Sequence, residues 1–190
     1  MHPHLSKNDK EMFYTYLNNA SVYLEYGSGG STYQASIRNN IKHIFTIESD
    51  INWQNKLKKK ITNTNITYIF NEMQTLPNNW GKPGKNASDI QKINYSNHIR
   101  NLNYNMQNNI DFILIDGRFR VACCLKCYDI INDDCLIAFD DFLNRDYYHI
   151  VLDYFEIVNK TEDNRMVILK KKKNVNIPQN IIQIYELNYE

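Results

Sequence analysis

"VYLEYGSGGSTYQAS", residues 22–36, decides how the chain is read. Its first part, VYLEY, is a β-branched and aromatic run of strand character. Gly27, Gly29 and Gly30 follow, and then Ser31 and Thr32. A strand that runs through glycines into a helix lets backbone N–H groups approach a bound ligand. A dinucleotide fingerprint, G-x-G-x-x-G, would need glycine at 32, where Thr32 stands. That third glycine allows close helix–strand packing. Glu25, just before the loop, repels a pyrophosphate but suits a cationic ligand. A nucleotide-dependent oxidoreductase is therefore disfavoured.

Working outward, strand and helix patterns alternate. Residues 6–18 carry apolar groups at helical spacing, Met12, Phe13, Tyr16 and Leu17. SIRNNI after the glycines reads as helix, HIFTIES as a second strand, INWQNKLKKKI as helix and ITYIFN as a third strand. DFILID is the most apolar strand, as a central parallel strand should be. FRVACCLKCYDII reads as helix, CLIAFDD as a fifth strand and YYHIVLDYF as helix. FEIVNKT and RMVILKK make a closing pair around the turn EDN. This alternation predicts one α/β domain over residues 1–190, a doubly wound, mostly parallel sheet. Ligands of such sheets bind at the carboxyl ends of the strands. Those ends carry Glu25 to Thr32, Glu48 to Asp50, Asn71-Glu72, Asp116 to Arg120 and Asp140-Asp141. Residues 72–109 break the rhythm. They are polar, contain Trp80 and leave from the ligand side, so they read as a lid or substrate loop.

Composition bounds the alternatives. The chain has 190 residues, 43% hydrophobic and 23% charged, with a net charge of +1. Near-zero charge disfavours nucleic acid as a partner. No apolar run is long enough to span a membrane, and the polar N-terminal stretch has no signal-peptide pattern. The expected location is the cytosol, that of a host cell if the protein is viral. Cys124-x-x-Cys127 lacks a second metal-binding pair, so Cys123, Cys124, Cys127 and Cys135 read as core residues. The abundant Tyr and Phe do not locate an interface, and a homodimer is left open.

The three motifs together resemble those of class I S-adenosylmethionine-dependent methyltransferases. LEYGSGGST is similar to the family's first, glycine-rich motif, FTIESD to the second, with its ribose-binding acid, and DFILIDGRFRVAC to the fourth-strand motif. Glu48 lies 21 positions after Gly27, a suitable distance for the ribose acid. The resemblance implies a Rossmann-like, seven-stranded sheet ending in an antiparallel hairpin. It implies that Gly27, Ser28, Gly29 and Gly30 admit the cofactor, and that Glu25 holds its ammonium group directly or through water. Ser31 and Thr32 would bind its carboxylate, or simply cap the helix. Glu48, with Ser49, would hold the ribose. Asn71 and Glu72 would lie near the adenine.

The acceptor is read from the fourth and fifth strand ends. Base-amino methyltransferases carry Asp/Asn-Pro-Pro-aromatic after strand four, whereas here Asp116-Gly117-Arg118-Phe119 stands. Asp116, Asp140 and Asp141 resemble the acid set of metal-dependent O-methyltransferases and are a candidate Mg²⁺ site. Related sugar-methylating enzymes carry a second acid where Arg118 stands, so either Asp141 or His149 would be the base or the metal alone would suffice. Trp80, Arg118, Arg120 and Arg145 are candidates to bind an anionic or sugar-like small molecule. Alternatively, Arg118 or Arg120 neutralises the acids. The expected activity is O-methyl transfer to a sugar or nucleotide sugar. The competing readings are an inactive cofactor- or nucleotide-binding module and an RNA methyltransferase.

Overall fold

The structure is a computed structural model that describes all 190 residues, Met1–Glu190. Seven strands form one sheet in the order β3-β2-β1-β4-β5-β7-β6. They are β1 (Val22–Tyr26), β2 (His43–Glu48), β3 (Ile66–Phe70), β4 (Phe112–Ile115), β5 (Leu136–Phe139), β6 (Phe155–Lys160) and β7 (Val167–Lys171). The first five are parallel, and β7 runs antiparallel to both β5 and β6. The mostly parallel Rossmann-like sheet with its closing antiparallel hairpin is therefore as expected.

Strand order reverses between β1 and β4. After β1 the chain winds outward through β2 and β3, then returns to lay β4 on the other side of β1. The crevice above the carboxyl ends of β1 and β4 is the ligand position of such sheets.

Alternating side chains fill two cores. In β4, Ile113 and Ile115 join the larger cluster, while Phe112 and Leu114 face the smaller. Helix α1 (Lys7–Leu17) and helix α2 (Gly30–Ser36) cover the smaller side through Phe13, Leu17 and Ala35. Helix α3 (Ile51–Lys58) follows β2, with Leu57 buried. The larger side is covered by α4 (Asp89–Asn101), α6 (Arg120–Cys127) and α7 (Gln179–Tyr185). The short α5 is Tyr104–Asn108. All four cysteines are buried in the larger core, and burial pushes their thiols up. No helix is long and apolar enough to cross a membrane.

Two sequence expectations are corrected. Helix α2 begins inside the glycine run and ends at Ser36, where SIRNNI was expected to start a helix. The reason is local: hydroxyls of the first turn bond to β1, which fixes the helix start. Residues 72–109 are not one irregular loop. Ser88 caps α4 by accepting from the Gln91 N–H, and α4 buries Tyr95 and Ile99. Only the first half of the segment is irregular. Asp146–Asp153 is helical, as read, and takes the 3₁₀ form.

Candidate active site

The β1–α2 and β4–α6 turns meet at Gly27 and Gly117. Gly27 has φ +92°, and a Cβ there would lie 2.9 Å from the Gly117 Cα. A Cβ on Gly117 would lie 2.1 Å from the Tyr95 hydroxyl of α4. Two glycines thus let two turns and a helix converge. Above them is a cleft of about 680 Å³, lined by Gly27–Ser31, Glu48–Asp50, Trp53, Trp80, Gly81, Asp116–Arg118, Arg120, Asp140, Asp141 and Arg145 among others. Above Gly29 the nearest side-chain atoms stand 3.9 Å from a Cβ position, on Trp53, so its backbone is open to a ligand.

Glu48 is buried at the cleft wall. It accepts from the N–H groups of Ser49 at 2.7 Å, Asp50 at 2.8 Å and Ser28 at 3.1 Å, and from the Ser28 hydroxyl at 2.9 Å. Three fixed amides orient this carboxylate, and the Ser28 hydroxyl is the one partner that can rotate away. Burial raises its pKa despite these donors. The carboxylate is thus fixed at the cleft wall, with one displaceable partner.

Glu25 is positioned differently from expectation. It is fully buried on the α2 side of the sheet and does not line the cleft. It accepts from the Tyr23 hydroxyl at 2.9 Å, from the Ser31 hydroxyl at 2.6 Å and from the Thr32 hydroxyl. Thr32 Oγ1 in turn accepts from the Gly29 N–H at 2.8 Å. Glu25, Ser31 and Thr32 thus brace the loop from beneath, and Glu25 is not placed to hold an ammonium group. Burial, partly offset by these hydroxyls, pushes Glu25 up to about 7.

Asn71 and Glu72 also point elsewhere. The Asn71 amide donates to the Gln91 carbonyl at 3.0 Å, and its oxygen meets His98 at 2.8 Å. Glu72 caps its own turn at the Gln74 N–H. Neither lines the cleft. His149 lies against the Phe142 ring, 5.2 Å between centroids, and also lies outside the cleft, so it is not placed as a base.

The three aspartates do gather, but around a guanidinium. Arg120, buried at the start of α6, reaches Asp116 at 3.1 Å, Asp140 at 3.5 Å and Asp141 at 3.6 Å. Asp141 also pairs with Arg145 at 2.8 Å and with Arg165 at 2.5 Å. A divalent cation would have to share this space with three guanidiniums. The residues do not fit a Mg²⁺ site, and no acid or His/Cys cluster in the chain has ligand geometry. Arg120 is correspondingly a neutralising residue and not a free substrate ligand. Burial, reinforced by Asp116, pushes Asp140 up to about 9, and one of its oxygens is buried without a donor. Burial likewise raises Asp116.

Met1–His4, Trp53 and Arg165 also line the cleft, and no motif marks them in the sequence. The segment Met1–His4 lies across the glycine loop, its His2 carbonyl carbon 2.1 Å from where a Gly30 Cβ would stand. The His4 ring meets Trp80, 5.2 Å between centroids. Trp53 donates its indole N–H to the Ser28 carbonyl at 2.8 Å, and Arg165 enters from the β6–β7 turn. Trp80, 69% exposed, is held over the cleft by two bonds, Ser49 Oγ to the Gly81 carbonyl at 3.1 Å and Arg118 Nε to the Trp80 carbonyl at 2.9 Å. Left-handed backbone at Trp80, Phe119 and Asp141 clusters around this cleft, the kind of strain found at functional sites.

No protein-family model matches the chain, and no curated protein matches it. Solved structures do. A methyltransferase-like protein from Silicibacter pomeroyi superposes with a TM-score of 0.83 at 23% identity, covering 100% of this chain and 98% of that one. An RNA methyltransferase from Salinibacter ruber, in complex with S-adenosyl-L-homocysteine, gives 0.55 at 11% identity, over 93% and 97% of the two chains. A protein provisionally described as a caffeoyl-CoA O-methyltransferase, from Staphylococcus aureus, gives 0.53 at 16% identity, over 90% and 86%. At these identities the likeness is one of architecture. The chain has the Rossmann-like fold of the class I S-adenosylmethionine-dependent methyltransferases.

Proposed function

We propose that the protein is an S-adenosylmethionine-dependent methyltransferase that modifies a hydroxyl of a small, polar, sugar-like acceptor. One observation carries the reading: the Gly27–Gly117 crevice at the reversal of strand order opens beside the amide-oriented carboxylate of Glu48. The glycine loop would receive the methionine end, and Glu48 the ribose hydroxyls, once the Ser28 hydroxyl rotates away. Trp80 and Gly81 would shut water out above it.

Bound there, the cofactor supplies an electrophilic sulfonium methyl group. The chain must align an acceptor oxygen and take up its proton. Asp116, beside Gly117 and partly open to the cleft, would receive that proton. Arg118 and Arg145 would orient the acceptor.

Calorimetric titration with S-adenosylmethionine, S-adenosylhomocysteine and NAD⁺ tests the reading. Micromolar binding of the first two is expected, weakened roughly tenfold or more by Glu48→Ala. NAD⁺ binding in their place would sink it. A second reading, a binding module without turnover, is favoured by Arg120 at the centre of the acids. Methyl transfer to any member of a nucleotide-sugar and sugar panel would exclude it.

A further inference from the structure

Four guanidinium groups line the cleft, those of Arg118, Arg120, Arg145 and Arg165. Three are held by carboxylates: Arg120 by Asp116, Asp140 and Asp141, Arg145 by Asp141, and Arg165 by Asp141 and Asp9. Arg118 differs. It has no carboxylate partner, and its one hydrogen bond runs from Nε to the Trp80 carbonyl at 2.9 Å. Nη1 and Nη2 carry no bond to the protein. The side chain is half-buried, and the carboxylate that acts on it, Asp116, does so through space without contact. A half-buried guanidinium with both terminal nitrogens unbonded favours an anion.

Position adds to chemistry. Arg118 directly follows Gly117, which touches the glycine loop, and its side chain lines the cleft beside Gly81. Its Nε holds the strained Trp80–Gly81 turn, which Ser49 pins from the β2 side.

We propose that Arg118 is the receptor for an oxyanion of the methyl acceptor, a phosphate ester or a carboxylate gripped through Nη1 and Nη2. It is a specificity-determining residue: it selects acceptors that carry an anionic group beside the hydroxyl to be methylated. Because Nε anchors Trp80, the anion and the turn that covers the cleft meet on one side chain. This rests on the methyltransferase reading above. Planar two-point recognition is what arginine offers and lysine does not.

The test uses the full chain saturated with S-adenosylhomocysteine, at constant ionic strength. Sodium phosphate and sodium acetate are titrated separately, and the arginine Nε–H and tryptophan indole resonances are followed by NMR. A saturable shift of Arg118 and Trp80 is expected. The stronger of the two anions tells a phosphate ester from a carboxylate. Arg118→Gln should weaken binding about tenfold or more, and Arg118→Lys by an intermediate factor. Absence of a saturable shift, or equal binding by Arg118→Gln, overturns the inference. Should S-adenosylhomocysteine itself fail to bind, the methyltransferase reading falls. The same titrations on the free protein then still decide whether Arg118 is an anion receptor.

Discussion

A carboxylate in the middle of a central strand is costly unless it is bonded, and Glu25 shows how this chain uses one. Along β1 it occupies a core-facing position beside Thr46 of β2 and takes hydroxyl donors from Tyr23, Ser31 and Thr32. Its folded pKa is raised from 4.5 to about 7. The sign follows: below 4.5 both folded and unfolded forms are protonated, and the contribution to stability is fully present. Between 4.5 and 7 the unfolded chain releases its proton while the folded one keeps it, so stability falls as pH rises. Over that window the wild type should lose about 3 kcal/mol relative to Glu25→Gln. Urea unfolding of both proteins at pH 4.5 and 7.5 measures this. A constant difference between them would mean that Glu25 does not hold its proton through the window.

At the scale of elements, the site is made by two turns that touch. Gly27 is in the left-handed region and its missing Cβ leaves room for Gly117. Gly27→Ala therefore meets both backbone strain, about 1–3 kcal/mol, and overlap with β4's turn. It should lower the urea midpoint and weaken S-adenosylhomocysteine binding together. Gly29→Ala meets only the Trp53 ring at 3.9 Å and should cost markedly less stability. Equal losses in the two variants would remove the Gly27–Gly117 contact as the organiser of the crevice. Helix α4 also belongs at this scale. Its start, Ser88-Asp89-Ile90-Gln91, is a legible capping box. Asparagine-rich composition and an exposed Ile90 hid the apolar stripe that follows, so Tyr95 was missed as a cleft residue.

For the whole molecule, the helices over the larger core are tied together by one buried charge. Lys126 of α6 is fully buried; its ammonium donates to Ser96 at 2.9 Å and Asn97 at 2.7 Å, both on α4, and pairs with Glu186 at the end of α7. Glu186→Ala leaves that lysine buried and uncompensated, at an expected cost of about 3–5 kcal/mol. Thermal unfolding reads the loss, and hydrogen exchange should show α7 opening first. Unchanged stability would mean that the α4 partners alone satisfy Lys126.

Periodicity and punctuation by themselves determined the parallel sheet, its order of elements, the closing hairpin and the glycine turn, because strand alternation and turn chemistry are local properties of the chain. The acid at the end of β2 was legible for the same reason: ligands of such sheets sit at the carboxyl ends of the strands beside the reversal of strand order. Only the tertiary structure decided how the charges pair. Asp116, Asp140 and Asp141 read as metal ligands until α6 brings Arg120 among them, and Arg165 arrives from a turn far away in sequence. Glu25 and Glu48 both belong to strands that end at the crevice, yet one faces beneath the loop and the other the cleft. Likewise His149, in the segment Asp146–Asp153, packs on Phe142 outside the cleft. The physical reason is common to all three: a side chain's partner is set by the face of the element that carries it and by what packs against that face, and both are non-local.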